Sequence, residues 1–319
     1  MLRYIIRRVL LMIPTLLGIT LIVSLFITIS PGDPAVLILG TMASPEDLEA
    51  KRVELGLNEP FHIRYVNYLL GVLQGEFGIS YRTDRHVINE ILQRYPYSLM
   101  LVFFSLIVSI GIGIPIGIFA ATHQYSWKDN AAIFLSLFCV SMPNFWFALM
   151  LISFFCVRLG ILPTSGVDKW TGWILPVITG SLGFAATIAR QMRSNMLEVI
   201  RQDYITTARA KGQSERLVLY RHALKNAVIP VIMVVGGIFG MAMGGSMIAE
   251  VIYSIPGLGS YTLSGLQSRD YPVIQTSVLF MSALFAVVLL LIDITFAIVD
   301  PRIRSQYAKK KRKSEGVAA

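Results

Sequence analysis

Four histidines, two cysteines and 19 acidic residues are what this chain of 319 residues could use to bind a metal or run acid–base chemistry. Their spacing points to neither. His62, His86, His123 and His222 form no His-Glu-x-x-His pair, and no Gly-x-Ser-x-Gly turn presents a nucleophile. Cys139 and Cys156 fall inside one apolar run. On a single helix they would lie roughly 25 Å apart at 1.5 Å per residue, too far for a disulfide, so they read as packing residues. No Gly-x4-Gly-Lys-Ser/Thr loop is present to cradle the phosphates of a nucleotide. The densest polar stretch is 203–226, with Arg209, Lys211, Arg216, Arg221 and Lys225, the acids Asp203 and Glu215, and His222. On charge alone this stretch reads as a cytoplasmic loop of a membrane protein.

The elements that carry it are apolar. The chain is 55% hydrophobic and 15% charged, where a soluble domain is about 25% charged. That imbalance, with a net charge of +9, predicts an all-α membrane protein. The basic excess needs no nucleic acid, because cytoplasmic loops of membrane proteins carry extra Lys and Arg. About 20 apolar residues cross a bilayer as a helix. Six spans are predicted, at 9–29, 97–121, 131–157, 173–189, 227–249 and 272–292. The fourth is short and holds Pro176, with Trp170 and Trp173 suited to an interfacial belt. The first follows Arg3, Arg7 and Arg8, lacks a small-x-small cleavage pattern, and reads as an uncleaved span.

Six spans place both termini on one side. On that side the N-terminus, the 122–130 loop, the 190–226 loop and the tail carry 3, 1, 8 and 7 Lys or Arg. The short loops opposite, 158–172 and 250–271, carry 2 and 1. Both termini and the 203–226 segment are therefore expected in the cytoplasm. The chain divides into the N-terminus and first span (1–30), an external helical loop (31–96), a membrane core (97–300) and a basic tail (301–319). The run Lys309 to Lys313 in that tail reads as a solvated topology signal or a contact for anionic lipid.

In the external loop, Ser44-Pro45-Glu46-Asp47 is a helix start and Gly56 a stop. Phe61, Tyr65, Tyr68, Leu69 and Val72 make one amphipathic stripe, and Val87, Ile88, Ile91, Leu92 and Tyr95 another. This module reads as a cap over the bundle or a docking surface. Asp293 is expected to pair with a basic residue near the cytoplasmic interface. Glu250, at the outer end of the fifth span, reads as near water, as a polar lining or a gate.

Within 203–226 the order of residues carries more than charge. Met196, Ile200, Tyr204 and Thr207 recur at helical spacing, and Gly212 can end that helix in a left-handed turn. Ser214 can cap a second helix with Glu215 at its positive end and a stripe of Leu217, Tyr220, Leu224 and Val228. Two amphipathic pieces joined at a glycine fit another protein's groove.

At this point the segment resembles the cytoplasmic signature loop of permease subunits in bacterial ABC importers. Thr206, Thr207 and Ala208 stand at its Glu-Ala-Ala positions and Gly212 at its glycine, while Lys225 replaces the proline common near its end. Those departures are similar to the peptide/nickel branch, whose loop reads like Thr207 through Gly212 and Arg221 through Ala227. The opening MLRYIIRRVL, Pro31-Gly32-Asp33-Pro34, Ile255 through Gly259, Arg269-Asp270-Tyr271 and Asp300-Pro301-Arg302 extend the likeness, most closely to the first of the two permeases.

The resemblance implies a second homologous permease, two ATPase subunits that use ATP and Mg, an external binding protein, and a place in the bacterial inner membrane. It implies no cofactor on this chain. It assigns ATPase contact to Thr207, Ala208, Arg209, Gly212, Leu217, Tyr220 and Arg221, with Arg209 or Arg221 pairing to acids on the partner. It turns Pro256, Gly257 and Gly259 toward the binding protein. Gly236, Gly240 and Gly244 repeat every four residues on the fifth span, a face for close helix packing or for gating between permeases. Peptides are the expected cargo, with glutathione, nickel or a metal chelate as alternatives. A proton-coupled transporter would need ionisable groups near mid-membrane, where this sequence offers none.

Overall fold

The computed structural model describes residues 2–30 and 32–299. The tail 301–319, Asp300 and Pro31 lie outside them. Among the described residues the chain is built of helices. Span one is α1 (Leu2–Ile29). It leads into a module of α2 (Pro34–Leu39), α3 (Pro45–Glu54) and α4 (Phe61–Gln74), the segment expected to lie outside. The α3 start is the one expected: the Ser44 hydroxyl accepts from Asp47 N, and Pro45 takes the first helical position, where no N–H is needed. Along α4, Phe61, Tyr65, Tyr68, Leu69 and Val72 share a half-buried face, and Tyr65 donates to the Leu17 carbonyl of α1 at 2.9 Å. Salt bridges knit the module: Arg52 spans Asp33 (2.7 Å) and Glu49 (3.0 Å). The Arg52 hydrogen bond, then that of Asn58, holds the Glu49 carboxyl below its usual range.

Span two departs from expectation. The stripe at 87–95 is not a separate external helix but the opening of α5 (Val87–Thr122), which runs unbroken into the membrane. Val87 and Ile91 are buried there, whereas Leu92 is exposed. Proline costs a membrane helix little, because neighbouring helices re-satisfy the freed carbonyls; α5 holds Pro96 and Pro115. Span three is also corrected. It is not one helix over 131–157 but α6 (Trp127–Ser141) and α7 (Asn144–Leu151), bent by 97°. The cause is Pro143, which lacks an N–H and disfavours helical backbone at the residue before it; Met142 is extended, with ψ 127°. A π-helical turn, Ile152–Arg158, completes the segment. Cys139 and Cys156 thus lie on either side of the bend, and both are free.

The fourth span is longer than its apolar core. After a 3₁₀ turn at Trp170–Trp173, α8 covers Ile174–Ile200, with Pro176 harmless in its first turn. It packs intimately on α5: a Cβ placed on Gly113 or Gly117 would come within 2.6 Å of the Ala185 or Ala189 carbonyl oxygen. Asp129, at the start of α6, takes two hydrogen bonds from Arg193 of α8 at 2.6 Å and is 1% exposed. The elbow follows, with α9 (Asp203–Ala210) and α10 (Glu215–Leu217). Span five is α11 (Leu224–Ile252), then α12 (Leu258–Ser268), then span six, α13 (Tyr271–Val299). Among the described residues, five helices are long and apolar enough to cross a membrane, and six spans result if the bent pair counts as one.

Candidate functional site: an elbow and a buried carboxylate at opposite ends of span five

The elbow is built by one glycine and one π turn. Helix α9 stops at Lys211, and Gly212 adopts φ +74°, where a side chain would be strained. Arg209 Nε donates to Glu215 Oε2 at 3.0 Å, clamping the two sides of the turn. That bond also raises the Arg209 pKa. Asn226 Nδ2 donates to the Tyr204 hydroxyl at 2.7 Å. Ser214 stands at the N-cap of α10 as expected, but its hydroxyl caps nothing.

From Val218 to Ala223 the backbone is π-helical, and the helix continues without interruption from Glu215 to Ile252. A π turn adds residues per turn and shifts every face that follows. Val218 and Ala223, five apart, are therefore both fully buried, beside Ile205, Ala208 and Ala227. This corrects the simple stripe of Leu217, Tyr220, Leu224 and Val228. Leu217 (39% exposed) and Tyr220 (57%) point outward, whereas Leu224 and Val228 are half-buried. The outer side of the elbow is an open depression lined by Ser214, Arg216, Leu217, Tyr220 and Arg221.

The other predicted residues divide by role. Thr207 is exposed and donates to the Asp203 carbonyl at 2.9 Å. Ala208 is buried in the core and supports the elbow from within. Arg209 is engaged by Glu215, while Arg221 is exposed and makes no ion pair among the described residues. His222 is half-buried, with Nε2 shielded and unpartnered among the described residues.

The glycine row on α11 splits. A Cβ on Gly236 would meet Ile292 Cδ1 at 2.5 Å, and one on Gly240 would meet Phe285 Cε2 at 2.1 Å, so these two seat span six of the same chain. Gly244 has nothing within 4 Å of such a Cβ. It belongs to an exposed row with Met233, Gly237, Met241, Ile248 and Val251.

At the far end of α11, Glu250 is fully buried and not near water, as its place at a helix end had suggested. Its carboxylate accepts from Ser98 Oγ (2.7 Å), Ser246 Oγ (3.0 Å) and Ser260 N (2.8 Å). Ser98 Oγ accepts in turn from Leu258 N at 2.7 Å. The 255–259 loop folds over this carboxylate. A Cβ on Gly257 would fall 2.3 Å from Glu250 Cδ, and one on Gly259 would fall 2.8 Å from Met247 Cα. Both glycines are buried, and Pro256 is the part of the loop that is exposed. The serines of this site lie far apart in sequence and form no motif; only the Gly-Leu-Gly loop next to an acid hinted at it. The elbow and this clamp share one helix and lie of the order of 50 Å apart at 1.5 Å per residue. Asp293 is paired as expected: its Oδ2 lies 2.9 Å from Arg8 Nη1, joining α13 to α1.

This arrangement has relatives. Residues 113–305 match the family described as "Binding-protein-dependent transport system inner membrane component", and residues 1–102 match its N-terminal companion. The glutathione transport system permease protein GsiC of Salmonella choleraesuis (strain SC-B67) is 41% identical over 95% of this chain and 99% of that protein. The same protein of Escherichia coli (strain K12) is 39% identical over the same shares. Among solved structures, the inward-facing MetNI methionine ABC transporter covers 67% of this chain and 97% of its own at a TM-score of 0.56 and 19% identity, a likeness of fold. With a family match over most of the membrane core and relatives of this identity along nearly its whole length, the chain belongs to the binding-protein-dependent transport system inner membrane components, as a multi-pass permease of an ABC importer.

Proposed function

We propose that this chain forms half of the translocation path of an ATP-driven importer of small peptides, and that the elbow at 203–226 is where ATPase motion enters it. The observation that carries the reading is mechanical. Leu217, Tyr220 and Arg221 stand out from a helix that continues unbroken to Ile252. A push on the elbow is therefore delivered to span five and, through it, to the 255–259 loop. Leu217 and Tyr220 fill a groove on the ATPase, and Arg221 pairs with an acid there; Arg209 already has its partner in Glu215. The elbow and both termini face the cytoplasm, and the 31–96 module and Pro256 face the binding protein outside. ATP and Mg are bound by two ATPase subunits, and this chain hydrolyses none.

A second, homologous permease packs on the row of Met233, Gly237, Met241, Gly244 and Ile248. The relatives named as glutathione permeases favour a short peptide, glutathione itself included, as cargo. Gly212→Pro tests the mechanism, because proline cannot adopt the positive φ found there. The expected outcome is normal membrane insertion and complex assembly, persisting ATP hydrolysis, and uptake of labelled peptide reduced at least tenfold. Wild-type uptake in that variant would sink the assignment. Uptake of labelled glutathione, a dipeptide and nickel in parallel assigns the cargo, with nickel uptake alone overturning the peptide reading.

A further inference from the structure

Arg269 ends α12 at φ 52°, a left-handed position usually left to glycine or asparagine. A backbone outlier of that kind invites a search for function. Its guanidinium is laid over Gly32, so closely that a Cβ there would come 1.1 Å from Nη1. Nη1 is shielded from solvent and has no hydrogen-bond partner among the described residues. No carboxylate forms an ion pair with Arg269 among the described residues. Asp270 Oδ1 is itself buried without a hydrogen-bond partner among the described residues, and the other oxygens of the neighbouring acids are engaged. Asp33 is held by Arg52, and Asp270 accepts on Oδ2 from Ser80 Oγ (2.5 Å) and Arg82 N (3.4 Å). A guanidinium nitrogen shielded from water without an acceptor is costly, and that cost is relieved by an anion.

Arg269 also heads an apolar groove of about 470 Å³ between α1, α12 and α13. Its walls are Val23, Phe26, Ile29, Leu266, Ile274 and Val278. Phe26 (70% exposed), Ile29 (69%) and Leu266 (59%) leave it open to the side. Gln275 Nε2 donates to Ser24 Oγ at 2.9 Å, tying α13 to α1. A cation at the end of an apolar trough, in a membrane-spanning protein, matches one molecule in both charge and shape.

We propose that this groove binds a phospholipid in the leaflet away from the elbow. The phosphodiester oxygens accept from the Arg269 guanidinium, whose fork geometry suits them. One acyl chain lies along Phe26, Ile29, Leu266 and Val278. The bound lipid then joins the first span to the turn between α12 and α13. Gly32 is kept free of a side chain so that the guanidinium can lie there.

The test is made on the full-length chain reconstituted in phosphatidylethanolamine and phosphatidylglycerol vesicles with a photoactivatable phospholipid, its crosslinks mapped by peptide mass spectrometry. The wild type is expected to label at 26–29 and 274–278. Arg269→Gln is expected to lower that labelling at least fivefold relative to total label, and Arg269→Lys to retain more of it. Should Arg269→Gln fail to fold, Val278→Trp fills the groove from its lipid side with the cation intact, and is expected to lower labelling equally. Wild-type labelling in a folded Arg269→Gln or in Val278→Trp overturns the proposal. So does absence of label at these positions in the wild type, as would occur if a partner protein filled the groove instead.

Discussion

At the scale of the residue, one buried carboxylate does most to shape the end of span five away from the elbow. Glu250 gathers three donors from α5, α11 and α12, and Gly257 and Gly259 exist at that place to let the loop close over it. Gly257→Ala puts a methyl group 2.3 Å from Glu250 Cδ. It is expected to lower stability by about 1–3 kcal/mol, the range for overpacking. Glu250→Ala strands the donors it served, at roughly 1–3 kcal/mol for each one left unsatisfied. Thermal melting of the purified protein checks both, and melting unchanged in Glu250→Ala would show that the clamp does not hold the loop. Ala208 teaches a similar lesson. Its identity in a signature segment suggested a contact surface, yet it is 7% exposed. Its methyl packs in one buried cluster with Ile205 and Val218.

At the scale of the element, α11 has two working faces. Gly236 and Gly240 receive Ile292 and Phe285 of span six, whereas Gly244 faces outward. The two are separated by substitution. Gly240→Leu must displace Phe285 and is expected to destabilise the chain by about 1–3 kcal/mol. Gly244→Leu meets nothing within this chain and is expected to stay within about 0.5 kcal/mol of the wild type, while reducing uptake at least tenfold. Copurification with the second permease then divides the remaining readings. Lost assembly makes Gly244 a packing site between permeases, and intact assembly with blocked uptake makes it a gate. Equal melting and equal uptake in both variants would remove the distinction. The π turn at 218–223 explains why periodicity misjudged this element: its five-residue repeat places Val218 and Ala223 on one face, which a 3.6-residue wheel cannot do.

At the scale of the whole molecule, the first and last spans meet. Arg8 and Asp293 are 285 positions apart and close span one on span six. With Arg8 47% exposed, such a pair contributes on the order of 0.2–1 kcal/mol, so it sets register more than stability. The proposed orientation is tested by single cysteines introduced in a Cys139→Ala/Cys156→Ala background. Met42→Cys in the external module is expected to react with an impermeant maleimide in intact cells. Arg216→Cys in the elbow is expected to react only after permeabilisation. The opposite pattern would invert the topology and remove the ATPase from the elbow.

The sequence by itself determined the class, the count of spans and the glycine elbow, because each rests on local chemistry. Apolar length, charge asymmetry and a residue able to take φ +74° are properties of short windows. The start of α3 was legible for the same reason, a serine and a proline in consecutive places. Only the tertiary structure decided which residues share a site. Ser98, Ser246 and Ser260 converge on Glu250 through packing of three helices, and Arg269 reaches Gly32 from more than 200 residues away. The 97° bend at Pro143 and the π turns lay between. Their residues were visible, but whether a proline kinks a span or is absorbed by it depends on the helices around it, and no window of sequence contains those.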